Sequence, residues 1–216
     1  MPYGERPYTV VVPALVLKDS PGERQSARID FPDLELASSF RIEFWFKTEA
    51  YPTEGASAVL IAALKTADDR VHDLILRLDG QHMTPEFQGF HGPLVNPPAL
   101  NRWTHVALSF WGMEVAVEPG GQTEAKGELH FNYWQDDQTF FDASVQLQSE
   151  SYRLSSLVLA AENGATHLFA ELRLWHPCPS PGMLVEYRGQ PIKDSATGLI
   201  GYWRLDEGSG NLMLDS

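Results

Sequence analysis

Residues 101–112 read NRWTHVALSFWG. After a polar turn, Thr104, Val106, Leu108 and Phe110 fall at every second position. Trp103, His105, Ala107, Ser109 and Trp111 fall between them. Period-two alternation rich in β-branched and aromatic residues suits a strand with one face on a core. The stretch reads as a central strand of a large β structure. Its second face is not an ordinary solvent face, because it carries two tryptophans and a histidine.

The same alternation recurs along the chain. In residues 40–47, Phe40, Ile42, Phe44 and Phe46 share one face, and Arg41, Glu43, Trp45 and Lys47 share the other. Residues 58–65 and 71–78 read as a hairpin with Asp68 and Asp69 in its turn. Residues 127–134 and 139–147 read as another, with 135–138 at its tip. Leu129, Phe131 and Tyr133 alternate there with His130, Asn132 and Trp134. Residues 154–161 are strongly apolar, and 167–175 form a further strand after a Glu162-Asn163-Gly164 turn. In that strand Leu168, Leu172 and Leu174 are expected to face inward, leaving Glu171, Arg173 and Trp175 outside. Weaker strand signals cover 11–17, 26–31, 84–90, 113–117 and 199–205. One helix is expected at 180–188, with Ser180 as cap, Pro181 in its first position and Gly189 at its end. Many short strands with closely spaced turns predict an all-β fold, a two-sheet antiparallel jelly-roll sandwich with one short helix near the C-terminus. The 216 residues suit a single domain, 1–216, with a sizeable core.

The formal net charge of −13 argues against a nucleic-acid backbone and against anionic membranes as partners. Cys178 is the lone cysteine, so neither an intrachain disulfide nor a cysteine zinc site is available. The first 20 residues carry an early acid and interrupted apolar runs, which suits neither a signal peptide nor a membrane span.

Several stretches resemble the strands of laminin-G-like and concanavalin A-like lectin–glucanase jelly rolls. RWTHVALSFWG resembles the family's W-x-H-V-A strand, and SFRIEFWFK its early F-T-I-E-x-W strand. LFAELRLW resembles the strand that precedes the family's short helix, for which SPGMLVEYRG stands here. LIGYWRLDEGSGNLMLDS resembles the family's tail. The matches run in the family's order over residues 13–216. The resemblance implies a domain cut from a larger protein, with neighbouring domains as partners. It also implies a secreted or cell-surface setting rather than a cytoplasmic one.

Three chemistries follow from the residues and the resemblance. The fold's glycoside hydrolases carry acids in an E-x-D-x-x-E strand, and no such stretch exists here; Glu43 and Glu171 are single acids among Arg, Trp and Lys. Relatives often hold one Ca²⁺ through oxygen ligands. Here the strand position that supplies their Asp is Ala170, and the early acid is shifted to Asp19. Asp136 and Asp137 at a hairpin tip are the other metal candidates, set against a plain solvated turn. The third possibility is the second face, where Trp45, Glu43, His130, Asn132, Trp134, Arg173 and Trp175 combine aromatic and hydrogen-bonding groups that suit a sugar. The competing reading has those tryptophans roofed over. The sequence thus leads to the expectation of a non-catalytic module that recognises carbohydrate or a protein surface, with no enzymatic activity. A structural or assembly domain is the alternative, and a glycoside hydrolase comes third.

Overall fold

The computed structural model describes residues 14–19, 25–37, 39–92, 94–116, 123–135, 138–148, 151–180, 192 and 196–205. Among the described residues thirteen strands are present: β1 (Leu15–Lys18), β2 (Gln25–Ala37), β3 (Ser39–Ala50), β4 (Ser57–Lys65), β5 (Val71–Leu78), β6 (Met83–Phe87), β7 (Phe90–His91), β8 (Trp103–Ala116), β9 (Thr123–Gln135), β10 (Gln138–Gln148), β11 (Tyr152–Ala161), β12 (Thr166–Trp175) and β13 (Leu199–Trp203). All strand pairings are antiparallel. One sheet runs β1-β12-β3-β8-β9-β10, with β13 also paired to β12, and the other runs β2-β11-β4-β5-β6-β7. No helix occurs among the described residues, and the helix expected at 180–188 lies outside them from Pro181 onward.

The alternation explains the sandwich. Phe40, Ile42, Phe44 and Phe46 on β3, with Val106, Leu108 and Phe110 on β8, are fully buried. They meet Leu60, Ala62 and Leu64 of β4, Leu74, Leu76 and Leu78 of β5, and Leu154, Leu157 and Leu159 of β11 in one core. Phe110 is a central knob between the sheets. Its ring lies 5.6 Å from Phe40 of the same sheet, and 6.3 Å and 5.2 Å from Phe87 and Tyr152 of the other. The two edge-on contacts across the layers are the geometry that aromatic quadrupoles favour.

Two sequence expectations need correction. Residues 113–116 continue β8 rather than opening another strand, so the central strand pairs with β9 along its whole length. On β12 the inward set is His167, Phe169, Leu172 and Leu174, with Leu168 outside it. The register against β3 slips between Ala170 and Arg173, and Glu171 there has a φ of +53°. A β-bulge adds one residue and inverts the facing of everything beyond it. A strict period of two therefore fails at that point.

His167 is a buried imidazole on the core side, beside Phe46 and Phe169 and within 3.2 Å of Thr48 Oγ1. Burial depresses it from the ordinary 6.5 to about 4. The unfolded chain takes the proton first as pH falls, so stability is lost between about 6.5 and about 4. The loss expected is on the order of 3 kcal/mol. Denaturant titrations at stepped pH should show this acid limb, and His167→Gln should flatten it. Truncating the central knob, Phe110→Ala, should cost about 3–5 kcal/mol in the same assay at neutral pH.

Candidate functional site

Because cross-strand partners share a face, the registers lay out the second face of the β1–β10 sheet as rows. One row runs Trp175, Arg41, Ser109, His130 and Ser144 across β12, β3, β8, β9 and β10. The next runs Tyr202, Arg173, Glu43, Ala107 and Asn132, beginning on β13. A third runs Ala170, Trp45, His105 and Trp134. Trp111 pairs with Glu128 beyond the first row.

The face divides into a covered half and an open half. Over β12 and β3, Arg173 and Glu43 are 0% and 1% exposed and form an ion pair at 3.1 Å. The second guanidinium nitrogen of Arg173 reaches Glu171 at 2.5 Å. The bulge makes this possible: it turns both Glu171 and Arg173 to the outer face opposite Glu43, where a strand that kept the parity of Ala170 would point both at the core. The Tyr202 ring lies 5.3 Å from the Arg173 guanidinium, and Arg204 sits 6.0 Å from that ring on its own side. Burial pushes the Glu171 carboxyl above the ordinary carboxylate range, with Arg173 pulling against it. For Arg173 burial disfavours the charge, and Glu43 and Glu171 more than offset it.

The open half lies over β8 and β9. Trp45, Trp111, Glu128, His130 and Asn132 are each partly exposed. His105 is buried between two indoles, with ring centroids 5.1 Å from Trp45 and 5.5 Å from Trp134. His130 stands edge-on to Trp111 at 4.6 Å, and its Nε2 lies 3.1 Å from Glu128 Oε2. Both members of that pair are 26% exposed. A hydrogen bond from Ser144 holds the Glu128 carboxyl below its ordinary range, burial opposes this, and His130 adds to it. Glu128 is therefore an ionised partner that orients an accessible imidazole.

Residues 176–180 cross the covered half as a strap. His176 Nδ1 lies 2.7 Å from the Ser39 carbonyl, and the Cys178 amide donates to Ser39 Oγ at 3.0 Å. Arg41 lies 1% exposed beside it. Its Nε donates to Ser109 Oγ and its Nη2 to the Pro179 carbonyl, each at 2.8 Å. Burial pushes the Cys178 thiol up to about 11, against the pull of Arg41 and Ser109, so it is not a nucleophile at neutral pH.

The structure therefore brings Glu43, Trp45, His130, Asn132, Trp134, Arg173 and Trp175 onto one face, but not into one exposed platform. Trp134 and Trp175 are buried, Trp45 is half-buried, and Glu43 and Arg173 are consumed by their ion pair. Asp19 is engaged elsewhere, accepting the Gly164 amide at 2.8 Å, and Asp136 and Asp137 lie outside the described residues. Among the described residues no three His, Cys, Asp or Glu side chains gather to hold a metal. Sequence reasoning passed over Glu128, Ser109, Trp111, Tyr202 and Arg41 as site residues. The parity of β9 and β8 carried the signal for the first three. That of Tyr202 was hidden, because β13 joins the face only through its pairing with β12.

The fold is the concanavalin A-like jelly roll. No protein-family model matches the sequence, and no curated protein is significantly similar to it. Among solved structures, a family 7 alginate lyase in complex with substrate matches with a TM-score of 0.50 at 9% identity, over 77% of this chain and 79% of its own. A heptameric pentraxin from Limulus polyphemus matches with a TM-score of 0.50 at 9% identity, over 93% and 90%. An endo-β-1,4-glucuronan lyase from the fungus Trichoderma reesei matches with a TM-score of 0.47 at 9% identity, over 74% and 79%. The alginate lyase corrects one expectation from the sequence. The fold is shared with a polysaccharide lyase, so a module confined to binding, without enzymatic activity, is not what the comparison supports.

The ion triad gives a stability prediction. Arg173→Ala leaves the buried Glu43 and the largely covered Glu171 without their shared cation, which should cost about 3–5 kcal/mol. Arg173→Met combined with Glu43→Gln should cost clearly less. Chemical denaturation of both variants at neutral pH checks the difference.

Proposed function

We propose that this jelly roll is a carbohydrate-active enzyme that cleaves an acidic polysaccharide by β-elimination over the open half of the second face. The observation that carries the reading is the His130–Glu128 pair, an accessible imidazole held by an ionised carboxylate beside Asn132 and an indole wall. Elimination needs a base for the proton α to a uronate carboxylate and hydrogen-bond donors that stabilise the charge developing on that carboxylate. His130 supplies the base, and Asn132, next but one on the same strand, a donor. The C–H bond breaks with its proton passing to the imidazole, a C=C bond forms, and the C–O bond breaks. The departing oxygen takes a proton from water, and the imidazolium returns its own to solvent. Trp45 and Trp111 offer apolar walls for sugar rings on either side.

Hydrolysis suits the face less well. It requires two carboxyl groups placed to give and take protons across the scissile bond. The buried Glu43 and the largely covered Glu171 of this face both hold Arg173. The alginate lyase that shares the fold supports the elimination chemistry.

The test is direct. The chain is incubated with polymannuronate, polyguluronate and polyglucuronate in turn, and the ultraviolet absorbance of an unsaturated uronate product is followed. Absorbance should grow with at least one polymer, fall about 100-fold or more in rate for His130→Ala, and fall less for Glu128→Gln. No absorbance with any of the three polymers sinks the reading.

A further inference from the structure

We propose that Arg41 is the receptor for the substrate's carboxylate, and that the strap at 176–180 occupies it in the free protein. The inference rests on the reading of this face as a site for an acidic polysaccharide, and it names the group that selects the acid. Arg41 lies in the same row as His130, with Ser109 between them. The two are on alternate strands, which places them on either side of the small residues Ala107 and Ser109 at the centre of the face. A uronate whose α carbon lay over Ser109 would turn that carbon's proton toward the imidazole and its carboxylate toward the guanidinium.

The bonding of Arg41 is incomplete in a telling way. Nε is held by Ser109, the guanidinium lies 6.0 Å from the Trp111 ring, and Nη2 donates to the Pro179 carbonyl. Nη1 is buried and has no hydrogen-bond partner among the described residues. A cationic donor left unsatisfied in a buried place is costly, and proteins keep one where something else completes it. A carboxylate completes a guanidinium with two parallel bonds, using both terminal nitrogens. The Pro179 carbonyl supplies one oxygen where a carboxylate supplies two. It is therefore a weaker occupant of the same place, and a uronate can displace it.

The strap is attached so that it can yield. Besides the Arg41 bond and the Cys178 thiol's contacts with Arg41 and Ser109, its described tethers are the His176 amide on the Gly198 carbonyl, His176 Nδ1 against the Ser39 carbonyl, and the Cys178 amide on Ser39 Oγ. The last is the one nearest Pro179 in sequence, and the one that a side-chain change removes. Because ligand must compete with the strap, the apparent affinity is set by the fraction of molecules in which Arg41 is uncovered.

The experiment is calorimetric titration of the whole chain with a uronate tetrasaccharide and with a neutral hexose tetrasaccharide of the same linkage, beside the elimination assay. The wild type should bind the acidic ligand at least 10-fold more tightly than the neutral one. Arg41→Lys should bring the two within about twofold of each other. Ser39→Ala, which frees the strap, should tighten uronate binding by about threefold to tenfold while lowering the melting temperature. A residue with a merely structural role would not strengthen binding when destabilised. Equal affinity for the two tetrasaccharides in wild type overturns the receptor, as does unchanged discrimination in folded Arg41→Lys. If Arg41→Lys does not fold, Ser39→Ala decides: unchanged or weaker uronate binding overturns the strap's role. Acid-selective binding with no elimination product keeps the receptor and sinks the lyase reading, whereas elimination that Arg41→Lys leaves intact does the reverse.

Discussion

A buried arginine cannot stand alone, and most of the covered half of the second face follows from that. Arg173 is withdrawn from water, so the structure must deliver two acids to it. Glu43 arrives by simple register from β3. Glu171 arrives because β12 bulges, at the expense of a left-handed backbone at a residue that is not glycine. Tyr202 on β13 then lies against the guanidinium face. The result is a rigid, charge-compensated floor on one side of the sheet. The partly exposed His130 and Glu128 lie two strands from β3 and so keep their independence from it.

Much of the fold was legible because it rests on parity. The inward sets of β3 and β8 follow from alternation in the sequence, since those strands are regular from end to end. The outward set named Trp45, His130, Asn132 and Trp134 on the same face for the same reason. Parity failed at β12, where Leu168 was expected inside and Phe169 takes the place, because a bulge is a backbone event that no side-chain pattern announces. Burial was the other blind spot. Alternation says which face a side chain shares, but not whether a segment 138 residues away in sequence crosses above it, as Pro179 does over Arg41.

The chemistry of the site lay further from view. A histidine followed by an asparagine two residues on looks ordinary in a strand, and Glu128 looks like a solvent-facing acid. What sets His130 apart is the convergence of Glu128 from its own strand with Ser144 and Trp111 from the two neighbouring strands. The fold itself serves proteins of different activities, so the side chains of this face, more than the sandwich, distinguish the chain. A sandwich with two well-packed layers tolerates wide change on its outer faces, because the core residues that fix the register point the other way.

The pairing of β12 on its outer side has a mechanical consequence. β1 covers Thr166 to Phe169, β13 covers Leu172 to Trp175, and the joint between them falls at the bulged Glu171. The rim of the sheet is thus two short pieces abutting at a seam rather than one continuous rail. Short independent pieces open locally at lower free energy than a long ladder, and each opens without the other. The amide of Glu171 is fastened across that seam to the Arg204 carbonyl, just past β13. Detachment of β13 alone would release this clasp and carry Tyr202 away from Arg173 with β1 still in place. Water's shortest road to the ion triad therefore runs through the last strand of the sheet.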